Sequence, residues 1–387
     1  MDWRPWLTRW SEEWIGCTEP DELDPEVVRD GWLGFDPATP EAVAAAEERL
    51  GTRLPPSYRE FLLTTDGWRD AGIFVWRMRG TSDLGWVRDL EPYWQDWDEP
   101  VEEEEESDGG DGPISRGLLI SLETDAGILY LDPGDVDENG EWAAYSLFSW
   151  RAAPPERFPS FVALMEDLYA EFHQMRRPEG ATRDSWAAKV DQARRDALAG
   201  DVDGAEAVLA QAENFGHVRA TVLRAQMLLL LGRAYDAEQL LRRLLHPSFT
   251  PDGFLSDPLF TEEFLPLLFV EHRQASSPNR NSILQTAIGS DPELVVLVAE
   301  YQARLRRSEA RPDYGNPEFT ELVRAALERH ASDPDALWRA VGDALPHWRP
   351  RSTDHIAPVV LLTEPVLAET LTPERGRALL SRPRGDR

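Results

Sequence analysis

A chain of 387 residues with 71 acidic against 40 basic residues is long enough for two or three domains, each with a real core. The net charge of −31 weighs against direct binding of nucleic acid or an anionic membrane. The single Cys17 excludes an intramolecular disulfide and a cysteine-based zinc site, so a reducing compartment is the natural reading. No apolar run approaches the ~20 residues that cross a bilayer. The opening MDWRPWLTRWSEEW places acids and tryptophans where a signal peptide needs a basic start and an apolar core, and a cytoplasmic location is expected. Lys189 is the only lysine beside 39 arginines, a bias of a GC-rich genome rather than of a mechanism.

In chain order, Trp3, Trp6, Trp10 and Trp14 recur at three and four residues, a stripe on one helix face that reads as core before it reads as a binding face. Thr39 is a plausible N-cap, Pro40 fits the first helical position, and Val43, Ala46 and Leu50 share a face until Gly51 stops the turn. A second helix restarts at Leu54-Pro55-Pro56, carries Tyr58, Phe61, Leu62 and Thr65 on one side, and closes at Asp66-Gly67. Ile73 to Arg79 reads as a strand, with Arg77 and Arg79 on one face. Gly117–Leu122 and Ile128–Leu131 flank a five-residue connection suited to a hairpin. Tyr145 to Trp150 supplies another strand, and Ser160 to Phe172 a closing helix with Phe161, Leu164, Met165, Leu168 and Phe172 on one side. Helices, then an antiparallel sheet with flanking helices, then a closing helix is an α+β order.

The order of Pro37, the helix carrying Glu47, Leu50-Gly51, Leu54-Pro55, Tyr58, Phe61-Leu62 and Asp66-Gly67 resembles the SUKH superfamily. Leu131-Asp132-Pro133 and Ser160-Phe161 continue the resemblance, which spans roughly residues 25–172. That superfamily includes the fungal cell-wall synthesis regulator and many bacterial toxin-immunity proteins, so the resemblance implies protein binding rather than catalysis.

Between Tyr93 and Gly112 lies an acidic insertion, YWQDWDEPVEEEEESDGGDG, assigned to residues 98–112. A like-charged run with Gly and Ser cannot bury apolar surface, and its plainest reading is a solvated loop. The alternative is a flexible acidic arm for a cationic partner, in which Glu102, Glu103, Glu104, Glu105 and Glu106 attract and Trp94 and Trp97 anchor. The run lacks the alternating Asp/Asn-Gly spacing of a calcium loop.

Charge and tryptophan content break together near Arg176-Arg177-Pro178. Residues 1–180 hold 41 acids and 15 bases, net −26, with 12 of the 15 tryptophans; the remainder holds 30 and 25, net −5. This places an α+β domain over 1–175, a linker over 176–184 and an all-α domain over 185–387. In the latter, ALAGDVDGAEAVLAQA from Ala197 aligns with LLLGRAYDAEQLLRRL from Leu229 at a shift of 32 residues, pairing Gly200 with Gly232 and Ala205-Glu206 with Ala237-Glu238. The pattern resembles tetratricopeptide-like helical hairpins over 185–246. Further helices are expected around 259–271, 293–307, 318–331 and 336–345, and the irregular Pro247 to Pro258 as a lid or binding loop.

Catalysis finds little footing. All seven histidines lie at or after His173, and no phosphate-cradling GxxxxGK[ST] or nucleophile-elbow GxSxG occurs. Asp132, Asp135, Asp137 and Glu138 cluster after a strand, but Pro133-Gly134 and Asn139-Gly140 make a turn the simpler explanation. Cys17 is expected buried or inert, and the terminal Arg384-Gly385-Asp386 is chance. The sequence therefore points to a non-catalytic protein-binding protein without cofactor or metal, an immunity-type protein whose partner is a basic toxin domain such as a nuclease. The alternative is a regulatory scaffold joining two protein partners.

Overall fold

The computed structural model of the chain describes residues 1–98, 112–274, 282–289, 291–307 and 313–385. It divides into two compact units, Met1–Arg183 and Asp184–Arg387, the first α+β and the second helical.

The first unit opens with α1 (Trp3–Gly16), whose Trp3, Leu7, Trp10 and Trp14 are buried, while Trp6 is half-buried. Trp3 meets Phe61 edge-on at 5.4 Å, Trp10 meets Tyr169 at 4.9 Å, and Trp14 meets Phe172 at 4.7 Å. The tryptophan stripe is thus core, as its spacing predicts. Three short helices follow: α2 (Pro25–Asp30), α3 (Pro40–Leu50) and α4 (Pro56–Leu62). The Thr39 hydroxyl accepts the Ala42 N–H to cap α3, and Gly51 ends it at φ +73°, a conformation that a side chain would strain. The start of α4 is capped from far along the chain, since Glu141 accepts both the N–H and the hydroxyl of Ser57. Asp66 ties the end of this segment to the sheet by accepting the Thr81 N–H and hydroxyl.

Among the described residues eight antiparallel strands form two sheets: β1 (Trp68–Arg69), β2 (Val75–Met78), β3 (Gly85–Trp86), β4 (Leu118–Leu119), β5 (Ser121–Thr124), β6 (Gly127–Val136), β7 (Trp142–Phe148) and β8 (Glu156–Phe158). The orders are β1-β2-β5 and β3-β4-β6-β7-β8. Between β3 and β4 run α5 (Val87–Leu90) and a 3₁₀ helix, Pro92–Trp97. The hairpin expected from Gly117–Leu122 and Ile128–Leu131 is only partly present. At Ile120 the strand changes sheets: its N–H donates to Leu129 O while its carbonyl accepts from Arg79 N–H, so β4 pairs with β6 and β5 crosses to β2. Arg77 and Arg79 do not share a face. Register shifts in β2 leave Arg77 half-exposed and bury Arg79, which donates to the carbonyls of Ser121 and Asp83. Then α6 (Phe161–Arg176), capped by Ser160, closes the unit against β7 and α4.

The connection expected over 176–184 is shorter, because α7 (Ala181–Ala199) already begins at Ala181. Glu13 explains this start: its carboxylate accepts the Thr182 N–H and is held by Tyr169 and His173 from α6. In the second unit α7 and α8 (Asp203–Asn214), then α9 (Val218–Leu230) and α10 (Ala234–Leu244), form the two hairpins of the 32-residue repeat. Ala205 and Ala237 are buried where the helices meet, and Gly200 and Gly232 turn the chain at φ +102° and +71°. Seven more helices complete the described layer: α11 (Leu265–Gln274), α12 (Ile283–Ile288), α13 (Pro292–Arg306), α14 (Pro317–His330), α15 (Pro334–Ala344), α16 (Pro365–Thr370) and α17 (Pro373–Leu380). Pro266 cannot donate a backbone hydrogen bond, and the chain before it, Phe260–Phe264, winds as a π-turn instead of the α-helix expected from Leu259. Pro247 to Pro258 forms turns around a 3₁₀ segment, Phe254–Ser256.

Burial pushes the carboxyl of Asp70 up to about 6, with Arg69 and Arg176 only partly opposing it. A carboxyl raised in the folded state stabilises most below its unfolded pKa, and that contribution is lost as pH rises through 6. Asp70 also sits at φ +50°, which asparagine tolerates well. Asp70→Asn is therefore expected to stabilise the first unit by about 1–2 kcal/mol at pH 8 and to be neutral near pH 4. Urea melts of both proteins at the two pH values check the sign.

Candidate partner-binding site

The first unit presents a cleft of about 290 Å³ where the two sheets separate beside the 3₁₀ helix. Its floor is apolar, from Leu119 and Ile128, and its rim combines Trp76, Tyr93, Glu91 and Glu123. Strict alternation along β2 would place Trp76 with buried Met78. The register shifts instead keep Val75 and Met78 inside and turn Trp76 out, 50 % exposed. Tyr93 stands 58 % exposed on the 3₁₀ helix. Glu123 lies 3.9 Å from Arg77, a loose pair, and the Glu91 carboxylate makes no hydrogen bond or ion pair among the described residues. Two exposed aromatic faces with two weakly answered carboxylates suit a guanidinium or ammonium group, through cation–π contact and charge-assisted hydrogen bonds.

The tryptophans expected as anchors separate. Trp94 is 2 % exposed and packs within the unit's own core with Val87, Ile114, Leu119, Ile128, Tyr130 and Leu147. Trp97 is 39 % exposed and rests 5.9 Å from Trp94, because residues three apart eclipse in a 3₁₀ helix. Of the pair, only Trp97 offers surface. Glu102, Glu103, Glu104, Glu105 and Glu106 lie outside the described residues. On the described residues to either side, Asp98 accepts from Ile114 N–H, Ser115 N–H and the Ser115 hydroxyl. Residues 99–111 carry eight acids and no base.

The other candidates have structural partners. Asp132 is buried and binds Arg116 through both oxygens at 2.7 Å. Asp135 holds Arg157 and the Tyr145 hydroxyl, and the Arg157 guanidinium keeps its carboxyl below the usual range. Asp137 accepts the N–H groups of Asn139 and Glu141 and so builds the β6–β7 turn. No group of three or more His, Cys, Asp or Glu among the described residues is placed to hold a metal ion. Cys17 is half-buried, and burial raises its thiol, which disfavours the reactive thiolate. No described helix is long and apolar enough to cross a membrane.

Trp76, Tyr93, Glu91 and Glu123 were not singled out by sequence reasoning. The signal available was a tryptophan within a strand of otherwise alternating character, but its direction depends on a bulge. Residues 37–167 match the SMI1 / KNR4 family (SUKH-1), which places that domain across the α3–α6 region and both sheets. No curated protein and no solved structure matches the chain.

Proposed function

We propose that the chain is a cytoplasmic immunity-type protein whose N-terminal unit binds and neutralises a basic toxin domain. The observation that carries this reading is the SUKH-1 domain at residues 37–167, whose family includes immunity-type proteins. The charge supports it: residues 1–180 carry a net −26, the complement of a basic nuclease-type cleft. The Trp76–Tyr93 cleft, Trp97 and Glu102–Glu106 form the contact surface. The acidic stretch speeds encounter, and the cleft takes an arginine or lysine side chain of the toxin. Trp94 contributes only by holding the 3₁₀ helix against the core.

The helical hairpins of α7–α10 favour a second reading, in which the chain is a regulatory scaffold and tetratricopeptide-like repeats engage another protein. Capture from the native cell with the full chain as bait separates the two. Under the first reading the captured protein is basic, arrests growth when expressed alone, and is silenced by co-expression of this chain. A partner that is harmless when expressed, and is retained by the residue 184–387 unit, would favour the scaffold instead.

A further inference from the structure

Arginine gathers in the second unit with few acids to answer it. Arg194 and Arg195 on α7, Arg349 after α15, and Arg382 and Arg384 beyond α17 line a cleft of about 970 Å³, and none of the described lining residues is acidic. Two carboxylates approach from outside. Asp191 binds Arg195 and stands 3.7 Å from Arg194, and Asp343 binds Arg382 at 2.7 Å. Among the described residues Arg349 donates to the carbonyls of Pro346 and Trp348 alone. Arg384 is 6 % exposed and donates to the carbonyls of Ile356, Leu380 and Arg382. Its Nη2 has no hydrogen-bond partner among the described residues, whereas Arg194 donates through Nη1 to the Thr353 carbonyl.

Among the described residues Asp191 and Asp343 pair with Arg194, Arg195 and Arg382, while Arg349 and Arg384 have no ion pair, within a chain of net −31. A buried cation without a counter-charge is costly, and folds normally pair it. Burial lowers Arg384 to about 10, so it remains charged at neutral pH. The cleft volume is that of a small-molecule site. Leu198, Ala199, Pro346 and Pro350 give it an apolar wall beside the cations.

We propose that this cleft binds a phosphate-bearing small molecule of about nucleotide size. Its phosphate oxygens accept from Arg349 and Arg384, and its ring lies on the wall formed by Leu198 and Pro350. Phosphate suits the site better than a lone carboxylate, since it brings more charge and more acceptors to guanidinium forks. The site is independent of the N-terminal cleft and of the toxin reading.

Calorimetric titration of the full chain at low ionic strength with ATP, ADP, pyrophosphate and adenosine tests this. The expected result is saturable one-to-one binding of ATP and ADP, weaker binding of pyrophosphate, and none of adenosine. Arg349 is exposed, so Arg349→Gln leaves the fold intact and is expected to weaken ATP at least roughly tenfold. Arg324→Gln, outside the cleft, is expected to leave the affinity unchanged. No saturable binding of ATP, ADP or pyrophosphate would overturn the proposal, as would unchanged ATP affinity in Arg349→Gln. A single-stranded oligonucleotide that binds more tightly than ATP would also overturn it, by assigning the cleft to nucleic acid.

Discussion

Glu13→Ala is expected to destabilise the N-terminal unit by about 3–5 kcal/mol, the cost of removing one member of a buried charged network. Glu13 and His173 are both almost fully buried, with 3.0 Å between Oε2 and Nε2. The same carboxylate serves the Tyr169 hydroxyl and the Thr182 N–H, so its loss removes three hydrogen bonds at once. Burial alone would raise the Glu13 carboxyl, but the hydrogen bonds of His173, Tyr169 and Thr182 outweigh it and leave the carboxyl below its ordinary value. A lowered folded-state pKa gives stability that is present above the unfolded pKa and lost as pH falls. The wild type is therefore expected to weaken below about pH 4.5, and Glu13→Gln to flatten that acid limb. Tryptophan fluorescence follows the transition selectively, because 12 of the 15 tryptophans precede residue 181. A Glu13→Ala protein that melts with the wild type would show that the network carries no net stability.

Trp94→Ala is the second large effect, expected at about 3–5 kcal/mol for emptying a large buried ring. Since Nε1 of Trp94 has no partner, Trp94→Phe should cost much less. Trp97→Ala, at a half-open rim position, should stay within about 1 kcal/mol. Denaturant midpoints of the three variants separate a core residue from a binding anchor. An unfolding midpoint for Trp94→Ala equal to the wild type would return that ring to the surface.

Helix limits were legible because their signals are local: Thr39-Pro40 and Gly51 bracket α3, and Ser160 opens α6 where the apolar stripe begins. The α+β order and the all-helical second half followed from the same patterns. What escaped the sequence depends on distant partners. Nothing near Ile120 says that its carbonyl will serve Arg79, just after β2, and so the split of the expected hairpin was hidden. Trp76 turns outward because of register shifts against β5, and Trp94 turns inward because Ile114 and Leu147 arrive to cover it. The candidate cleft was therefore half visible: its acidity was written in composition, whereas its aromatic rim was assembled by the fold.

The most direct measurement of the central claim is the rate of association and dissociation between the full chain and its captured basic partner across ionic strength. With wild type, association should be fast in low salt and fall steeply as the Debye length shrinks to ~8 Å at physiological strength. Changing Glu102, Glu103, Glu104, Glu105 and Glu106 to glutamine should slow association and flatten its salt dependence. Changing Trp76 and Tyr93 to alanine should instead speed dissociation at least roughly tenfold, as the loss of aromatic anchors does. A Trp76→Ala/Tyr93→Ala protein that releases the partner at the wild-type rate would contradict the account and move the interface away from this cleft.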